Sequence, residues 1–303
     1  MILMNKLEKM LKSSVFFLVF LLIIITLFFI FFNDFPREDP SILQVHFIDV
    51  DQGDSILIQT PNNQNILIDS GEQKHGSFVK RYLKNQGVKH LHMVIGTHPH
   101  ADHIGGLPLI LESFPTDMII IPPVRHTTQT FEELLNTIEK ENIPIQPIPS
   151  SKPYVFEDNL TLEFLSPHRD FKDHLNNWSI VLKLTYTDHK FLFTGDIEYG
   201  AETALLQDYC TQTLNSHVLK VAHHGSNTSS SYAFLEAVNP VISVISVGKE
   251  NPYGHPHKET IERLEYFSPF LYRTDLQGTL VLKSDGIKLW SPKPPLEENF
   301  SDF

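Results

Sequence analysis

The segment from Thr97 to Gly106 reads THPHADHIGG, and it constrains the fold more than any other part of the chain. It places four potential metal ligands within six residues: His98, His100, Asp102 and His103. The apolar residues 93–96 before it are typical of a short buried strand, and a helix can begin at residues 104–107. A strand that ends in a tight loop lets alternate side chains converge on one point. The pattern therefore predicts a metal-binding loop at the end of a strand.

Two ions fit this spacing better than one. His98 and His100 can share one ion, while Asp102 and His103 turn toward a second ion about 3.5–4 Å away. Imidazole and carboxylate ligands without a thiolate suit zinc, manganese or iron in an open site better than a structural zinc cage. The alternative is a surface loop that is rich in His by chance, and packing does not explain this spacing.

The same segment resembles the signature of the metallo-β-lactamase fold superfamily. It is similar to one branch of it, which includes the hydrolase-like domain at the C-terminal end of the DNA-uptake protein ComEC. Further matches follow in family order, at residues 47–55, 66–71, 193–196, 222–229 and 253–257. Asp51 stands where the branch usually has Gly. The resemblance covers roughly residues 42 to 290.

This resemblance implies an α/β fold, a four-layer αββα sandwich with the metal loops along one rim. The residue pattern agrees, because strands and helices are mixed in two similar halves. The predicted strands are 44–50, 55–59, 65–68, 93–96, 117–121, a hairpin within 154–164, 180–186, 191–194, 218–222, 241–247 and a last hairpin of 278–282 with 287–290. The predicted helices are 77–85, 130–142, 202–209, 231–237 and 258–266.

The N-terminus carries an apolar run, residues 15–32, in which Thr26 is the only polar residue. Eighteen residues at 1.5 Å each give about 27 Å, enough for a bilayer core of about 30 Å. A buried helix would show a polar face, and a signal peptide would be shorter and end in small residues at a cleavage site. Neither holds here. We therefore predict an uncleaved signal anchor in the cell membrane.

Charge around this run predicts its orientation. Lys6, Lys9 and Lys12 precede it against a single Glu8, so the positive-inside rule places the catalytic domain outside the cytoplasm. We predict five segments along the chain: a cytoplasmic basic N-terminus (1–14), a single transmembrane span (15–32), a linker (33–41), the hydrolase domain (42–290) and a disordered proline-rich tail (291–303).

The overall composition is acidic, with a net charge of −12. A protein that grips a long duplex through phosphate contacts would carry a basic face, so tight and extended DNA binding is not expected. A nuclease whose metals supply the local positive charge stays compatible with this composition. Cys210 is the only cysteine, which excludes an intramolecular disulfide. No protein partner follows from the sequence.

Three further residues complete the predicted metal site or border it. Asp196 follows the predicted strand 191–194, where its two oxygens can bridge both ions; a helix-starting Asp is the alternative. His223 and His224 end the predicted strand 218–222, where neighbouring side chains point to opposite faces, so only one coordinates metal. We assign His223 as the ligand and His224 as a catalytic residue that touches substrate or a carboxylate. A buried structural His is the alternative for either one.

Small residues from Gly225 to Ser230 suit a phosphate site before a helix, with Ser226, Asn227 and Thr228 as substrate-binding residues. His255 and His257 flank Pro256 and are assigned as catalytic residues together with Asp102. Either His could protonate a leaving group, bind phosphate or add one ligand. Asp69 is expected to hold the metal loop by hydrogen bonds.

One position departs from many superfamily members, which supply a third His to the first metal about twenty residues before the bridging Asp. This chain has Asn176 and Ser179 there, as the ComEC-like branch does, and His174 does not fit the pattern. The first site is therefore expected to be under-coordinated or to favour a harder ion such as Mn²⁺. Eight other histidines match no motif and are expected at the surface or in structural roles: His46, His75, His90, His92, His126, His168, His189 and His217.

The predicted activity is metal-dependent hydrolysis of phosphodiesters. The resemblance favours a ComEC-like DNase in which two divalent ions, Zn²⁺ or Mn²⁺, activate a shared water, with weak binding of the DNA substrate. The ligand set itself does not exclude lactams, thioesters or lactones. One alternative is a surface phosphodiesterase on small or envelope phosphoesters, such as phosphorylcholine on teichoic acid. An alternative of a different class is a non-catalytic metal-binding interaction protein.

Overall fold

The computed structural model describes residues 17, 20, 21, 42–149, 152–157 and 159–296. The chain divides into an N-terminal unit, Met1–Pro40, and a larger unit, Ser41–Phe303. The predicted N-terminal segment 1–14, nearly all of the span 15–32 and the linker 33–41 lie outside the described residues. Among the residues that are described, no helix combines the length and apolar character that crossing a bilayer requires.

The first sheet of the larger unit has seven strands in the spatial order β14-β13-β1-β2-β3-β4-β5. They are β1 (Leu43–Phe47), β2 (Ile56–Gln59), β3 (Asn65–Ile68), β4 (Met93–Ile95), β5 (Ile119–Ile120), β13 (Leu280–Ser284) and β14 (Leu289–Trp290). Strands β3, β4 and β5 are parallel, and the other neighbours are antiparallel. The carboxyl ends of β3 and β4 therefore meet at one end of the sheet.

The second sheet also has seven strands, in the order β12-β11-β10-β9-β8-β7-β6. They are β6 (Tyr154–Glu157), β7 (Leu160–Ser166), β8 (Val181–Tyr186), β9 (His189–Phe193), β10 (Val218–Lys220), β11 (Ile242–Ile245) and β12 (Phe270–Arg273). Strands β6 to β9 pair antiparallel, and β9 to β12 pair parallel. This second mixed sheet brings the ends of β9, β10 and β11 together.

Helices cover the outer faces of both sheets. They are α1 (Gly76–Asn85), α2 (Ala101–Ile104), α3 (Leu107–Leu111), α4 (Gln129–Lys140), α5 (Tyr199–Asp208), α6 (Thr211–Leu214), α7 (Tyr232–Val238), α8 (Lys258–Phe267) and α9 (Thr274–Gln277). In α4 the Thr128 side chain caps the helix by accepting a hydrogen bond from the Phe131 N–H. Phe131, Leu134 and Ile138 are buried at helical spacing, so one face of α4 packs inward.

Alternation along the strands produces the layers. In β3, Ile66 and Ile68 belong to the core between the two sheets, whereas Leu67 packs on the opposite face. That outer core contains α1, α3 and α4, and a third core joins the second sheet to α5, α7 and α8. The predicted α/β sandwich is confirmed, and the structure shows that both of its sheets are mixed.

Several predicted boundaries need correction. Strand β12 was not predicted, and the strand predicted at 218–222 ends at Lys220, where a 3-10 turn, Ala222–Gly225, follows. The predicted disordered tail is bonded to the domain where the structure describes it, since the Leu296 N–H donates to the Leu271 carbonyl (2.9 Å). Residues 297–303 lie outside the described part of the chain.

Candidate metal centre

The segment that follows β4 carries four of the predicted ligands. The Thr97 carbonyl accepts the Ile180 N–H (3.0 Å), which fixes the start of the loop between the two sheets. His98 and His103 are fully buried, whereas the Asp102 side chain keeps partial exposure. His98 Nε2 lies 3.0 Å from His100 Nδ1, and the His98 and His103 rings are 4.2 Å apart. The loop therefore gathers its polar side chains as the sequence predicts.

Asp196 reaches this group from the second sheet. It follows Gly195, whose φ of +51° is the left-handed turn that ends the segment after β9. Asp196 Oδ2 lies 3.2 Å from His103 Nε2, 3.3 Å from His224 Nε2 and 4.0 Å from His98 Nε2. We expected both oxygens to face the ligands. Only Oδ2 does so here, because Oδ1 lies toward the Lys220 ammonium at 3.9 Å.

The structure reverses the assignment of the His223–His224 pair. Both residues lie in a 3-10 turn with left-handed backbone angles (φ 50° and 53°), so strand alternation does not set their directions. His224 is buried, and its Nε2 lies 3.3 Å from both Asp102 Oδ2 and Asp196 Oδ2. His223 instead turns its Nδ1 toward Glu198 Oε1 at 3.5 Å. His224 therefore replaces His223 as the candidate ligand.

Hydrogen bonds behind the imidazoles orient them. His103 Nδ1 donates to Asp69 Oδ2 (2.8 Å), and His224 Nδ1 donates to the Ser246 carbonyl (2.9 Å). Asp69 also accepts the Thr97 N–H (2.8 Å), so the prediction that it holds the loop is confirmed. Because Nδ1 donates on both rings, Nε2 is the atom that faces the carboxylates and becomes available to a metal once its proton is displaced, which is how metal-ligating histidines are held.

The donor set fits a divalent cation. The ligand atoms of Asp102, His103, Asp196 and His224 all lie within 4.8 Å of one another. Within the described residues, His103 Nε2 and His224 Nε2, which face the carboxylates, are buried without a hydrogen-bond partner, and so is Asn176 Oδ1. Buried lone pairs that face one another are unfavourable unless a cation binds between them. Two imidazoles and two carboxylates suit zinc, manganese or iron.

His98 and His100 are the predicted ligands that would form a second half of the centre, and they lie outside the group of four converging donors. Asn176 lines the same cavity as His100, and its buried Oδ1 is the atom that could complete this half. An amide oxygen is a neutral and hard ligand. Asn176, which stands in the sequence where many superfamily members supply a third His, thus lines the same cavity as His100.

The pKa shifts within this group of residues also indicate a site for a cation. Burial disfavours a charged imidazole, but Asp196 and then Asp102 raise the pKa of His224 to about 9. The same carboxylates, with Asp69, raise the pKa of His103 well above its ordinary value. Against the effect of its burial, those imidazoliums hold the pKa of Asp196 well below its ordinary value. The group therefore stabilises positive charge, and a divalent ion would replace the two protons.

A cavity of about 380 Å³ opens onto these residues. Its lining includes His100, Asp102, Asn176, His223, Tyr253 and His255. Burial, and then the neighbouring His223 and His224, lowers the pKa of His255 to about 4, so its imidazole is neutral near pH 7. The structure places His255 in the cavity wall, as the sequence predicted. His257 instead accepts the Asn227 N–H at Nδ1 (3.0 Å) and is not among the residues that line the described cavity.

The predicted phosphate loop does not face this cavity. Ser226, Asn227 and Thr228 are absent from its lining in the part of the chain that the structure describes. The backbone N–H groups of Ser230 and Ser231, before α7, are already bonded to the buried Glu202 carboxylate (2.5 and 3.0 Å). The protein's own carboxylate thus occupies the anion site that the sequence assigned to phosphate.

Instead, the loop supports His223. Thr228 Oγ1 donates to Glu198 Oε1 (2.9 Å) and lies 3.3 Å from His223 Nδ1. Hydrogen bonds from His223 above all, and then from Thr228 and Asn176, keep the pKa of Glu198 below its ordinary value despite partial burial. Glu198 was missed in the sequence, where nothing marks it as different from other carboxylates after a strand.

Another His/Asp group, formed by His90, His92 and Asp117, is less suited to metal. His92 Nδ1 accepts the Asn65 N–H (3.0 Å), so the proton of the neutral ring sits on Nε2. His90 Nε2 is bonded to Asp117 Oδ1 (2.9 Å). These contacts agree with the structural role that the sequence assigned to both histidines.

Comparisons with known proteins come from sequence and from fold. Residues 48–249 match the family model described as the metallo-beta-lactamase superfamily. The chain is 28% identical over 272 residues to ComE operon protein 3 of Bacillus subtilis, covering 84% of this chain and 35% of that protein. It is 30% identical over 245 residues to competence protein ComA of Neisseria gonorrhoeae, covering 77% of this chain and 31% of that protein. The chain thus spans about a third of the length of these relatives.

Two solved structures share the fold. The metallo-beta-lactamase fold protein YhfI from Bacillus subtilis aligns with a TM-score of 0.51 at 15% identity, over 80% of this chain and 99% of that one. The diiron beta-hydroxylase CmlA from Streptomyces venezuelae aligns with a TM-score of 0.51 at 9% identity, over 80% of this chain and 54% of that one. At these identities the likeness concerns the fold alone.

Proposed function

Because the chain belongs to the metallo-beta-lactamase superfamily, we propose that it is a metal-dependent hydrolase of phosphodiesters, with DNA as the leading substrate. The observation that carries the proposal is the cluster of Asp102, His103, Asp196 and His224, whose donor atoms converge beside an open cavity. We propose these four residues, with His98 and His100, as ligands for two divalent ions, Zn²⁺ or Mn²⁺. His223 is no longer assigned as a metal ligand.

Support for a nucleic acid substrate comes from the relatives. Three of them are ComE operon protein 3, Recombination protein 2 and competence protein ComA. The chain matches these proteins over 76–84% of its own length, counting also protein YcaI of Escherichia coli. The metallo-beta-lactamase fold alone would leave lactams, thioesters and phosphoesters equally open.

When bound, divalent ions at this site would polarise a phosphoryl oxygen and make hydroxide available near neutral pH. The chain's own residues would orient the ligands and assist the leaving group. Asp69 and the Ser246 carbonyl hold the His103 and His224 rings, so the ligand geometry exists before substrate arrives. His223, with Nδ1 held by Glu198 and Thr228, has Nε2 left to hydrogen-bond or protonate the departing oxygen of the phosphodiester.

The surroundings of the cavity limit affinity for a polymer. Glu72 lines the cavity beside Asp102, and the chain carries a net charge of −12. Few phosphates are therefore neutralised by side chains, and binding of DNA should be weak and should fall further as salt rises.

Turnover of defined substrates tests the proposal. The full-length protein, loaded with Zn²⁺ or Mn²⁺, should cleave single-stranded DNA and bis-p-nitrophenyl phosphate and leave nitrocefin intact. Cleavage of a lactam, thioester or lactone, with both phosphodiesters intact, would overturn the assignment. A metal-loaded protein that turns over none of these substrates would support the non-catalytic alternative.

A second candidate is a phosphodiesterase that acts on small or envelope phosphoesters. The acidic composition favours it, because a small diester needs no basic face. Turnover of p-nitrophenylphosphorylcholine in clear excess over DNA would decide for this candidate.

We also propose that residues 15–32 anchor the protein in the cell membrane with the hydrolase domain outside. The apolar run and the lysines before it support this orientation. An alkaline phosphatase fusion after Phe303 should be active in intact bacteria, and the matching β-galactosidase fusion should be inactive. The reverse pattern would invert the orientation, and a shortened soluble form would indicate cleavage.

A further inference from the structure

Lys220 is a lysine inside the protein, at the end of β10 and directly behind the candidate metal centre. It is 1% exposed, although its neighbours in the strand are apolar. Its ammonium lies 2.5 Å from Asp54 Oδ2 and 3.9 Å from Asp196 Oδ1, and it donates to the Gly195 carbonyl (3.3 Å). A buried ammonium is strongly unfavourable unless it is paired, so these contacts are what stabilise Lys220 in its buried position.

Asp54, the main partner of Lys220, comes from the other sheet. Its N–H donates to the Asp102 carbonyl (3.2 Å), and its own carbonyl accepts the Gly71 N–H (2.8 Å). The carboxylate is therefore fixed against the metal loop. Its Oδ1 lies 3.7 Å from His224 Nδ1, on the side of that ring away from Asp196. The Lys220–Asp54 ion pair thus joins the two sheets behind the centre.

The rotation of the Asp196 carboxylate about its last side-chain bond is not fixed by hydrogen bonds to the carboxylate itself. Its backbone is held, since the Asp196 N–H donates to Ser179 Oγ (3.0 Å). Its Oδ1 has no hydrogen-bond partner among the described residues. The torsion that rotates a carboxylate is broad, so the backbone alone does not fix whether one oxygen or both face the histidines. The Lys220 ammonium is the positive charge beside Oδ1.

We propose that Lys220 is a positioning residue for the bridging carboxylate. Anchored by Asp54 and the Gly195 carbonyl, its ammonium attracts Asp196 Oδ1 and thereby keeps Oδ2 turned toward the imidazoles of both halves of the centre. One oxygen of Asp196 then faces the histidines of both halves of the centre, and the other oxygen faces the Lys220 ammonium. The inference rests on the proposed metal-dependent function, but it concerns how the ligand is aimed rather than which bond is cleaved.

A metal titration of the full-length protein tests this role without any turnover. We compare wild type, Lys220→Met and Lys220→Arg by calorimetric titration with Zn²⁺ and by the absorption spectrum with Co²⁺. Lys183→Met is the matched control, because Lys183 is also buried and donates to a backbone carbonyl, that of Thr213 (2.5 Å), away from the centre. Circular dichroism establishes that each variant is folded.

Loss of a residue that orients a metal ligand typically costs about 10–100-fold in metal affinity, and we expect that loss for Lys220→Met. Lys220→Arg keeps the charge and should recover most of the affinity, and Lys183→Met should bind as wild type does. Wild-type affinity and spectrum in Lys220→Met would overturn the proposal. An equal loss in Lys183→Met would also overturn it, because general destabilisation would then explain the effect.

Should Lys220→Met fail to fold, the same metal titration is carried out on Asp54→Asn. The amide has the same shape but no longer anchors the ammonium by charge, so affinity should again fall by about 10-fold or more; unchanged affinity would overturn the role. The result is separable from the proposed function. A wild-type protein that binds metal yet cleaves no phosphodiester would refute the function, whereas equal affinities refute only the role of Lys220.

Discussion

His223 and His224 are adjacent in the chain, yet their rings serve different partners. The His224 ring faces Asp102 and Asp196, and the His223 ring faces Glu198. The centroids lie 6.2 Å apart with an angle of 68° between the planes. The left-handed backbone at both residues produces this divergence. One histidine is therefore suited to metal and the other to substrate.

Separate replacement of the two histidines should separate metal binding from turnover. His224→Ala should lose metal, because it removes one of four converging donors. His223→Ala should keep its metal and lose about 10²–10⁴ in rate, the usual cost of a missing proton donor. Elemental analysis measures the metal content of each variant, and hydrolysis of bis-p-nitrophenyl phosphate measures its rate. If His223→Ala loses metal and His224→Ala retains it, the assignment must be exchanged.

Replacement of Asp196 should affect both halves of the centre, since Oδ2 faces His98, His103 and His224. Asp196→Asn should reduce metal affinity by more than the 10–100-fold typical of supporting residues. Wild type should bind two ions per chain in excess Zn²⁺ or Mn²⁺. Asp117→Asn is the control, because Asp117 lies in the His90 group and should not alter metal content. One ion per wild-type chain would contradict the two-metal proposal.

Stability of the metal-free protein should depend on pH in a direction set by His224. Its pKa in the folded protein is raised to about 9 by Asp196 and Asp102, against the effect of burial, from an unfolded value of about 6.5. The corresponding stabilisation is complete below about pH 6.5 and is lost as pH rises through about 9.

Thermal melting after EDTA treatment measures this dependence. The melting temperature should fall between about pH 6.5 and pH 9, whereas the metal-loaded protein should not show this fall, because protons compete with metal for the same imidazoles. A metal-free protein that gains stability over this range would show that His224 does not hold its proton in the fold.

Tyr253 offers a test for the substrate class. It lines the cavity, is 61% exposed, and stacks on His255 with centroids 5.7 Å apart and an interplanar angle of 25°. The Asn251 side chain accepts the N–H groups of Tyr253 and His255, so the stacked pair is held in place. A fixed and exposed ring beside the proposed phosphodiesterase centre suits a nucleobase, and one stacked base is worth about 1–3 kcal/mol.

Tyr253→Ala should therefore raise the KM for single-stranded DNA by about 5- to 100-fold and leave bis-p-nitrophenyl phosphate nearly unaffected. Tyr253→Phe should behave as wild type. Tyr266→Ala is the control, because Tyr266 is 78% exposed on α8 and does not line the described cavity. Equal effects on both substrates would argue for the small-phosphoester alternative.

Much of the centre was predictable because its signals are local. His98, His100, Asp102 and His103 follow one buried strand within six residues, and metal chemistry alone restricts what such a segment can do. Asp196 was found by its place after a strand, and the fold class by the mixture of elements and the family resemblance. The strand predicted at 65–68 is observed as β3, and its continuous apolar run, Ile66 to Ile68, is typical of a strand that packs on both faces.

Errors arose where the direction of a side chain depends on a turn or on a distant partner. Strand alternation was the wrong rule for His223 and His224, because the strand ends at Lys220. The phosphate loop was misassigned because Glu202, from another helix, already bonds its N–H groups. No pattern within a single segment encodes such a contact.

The sequence by itself determined which ligand types this protein has and the strand ends that carry them, because residue chemistry and short-range periodicity suffice for both. Only the tertiary structure decided which imidazole faces the carboxylates, which oxygen of Asp196 they share, and that Lys220 lies behind it. Those outcomes depend on side chains brought together from both sheets; Asp54 and Lys220, for example, lie 166 residues apart in the chain. Such distances in the chain are closed only by packing the two sheets face to face.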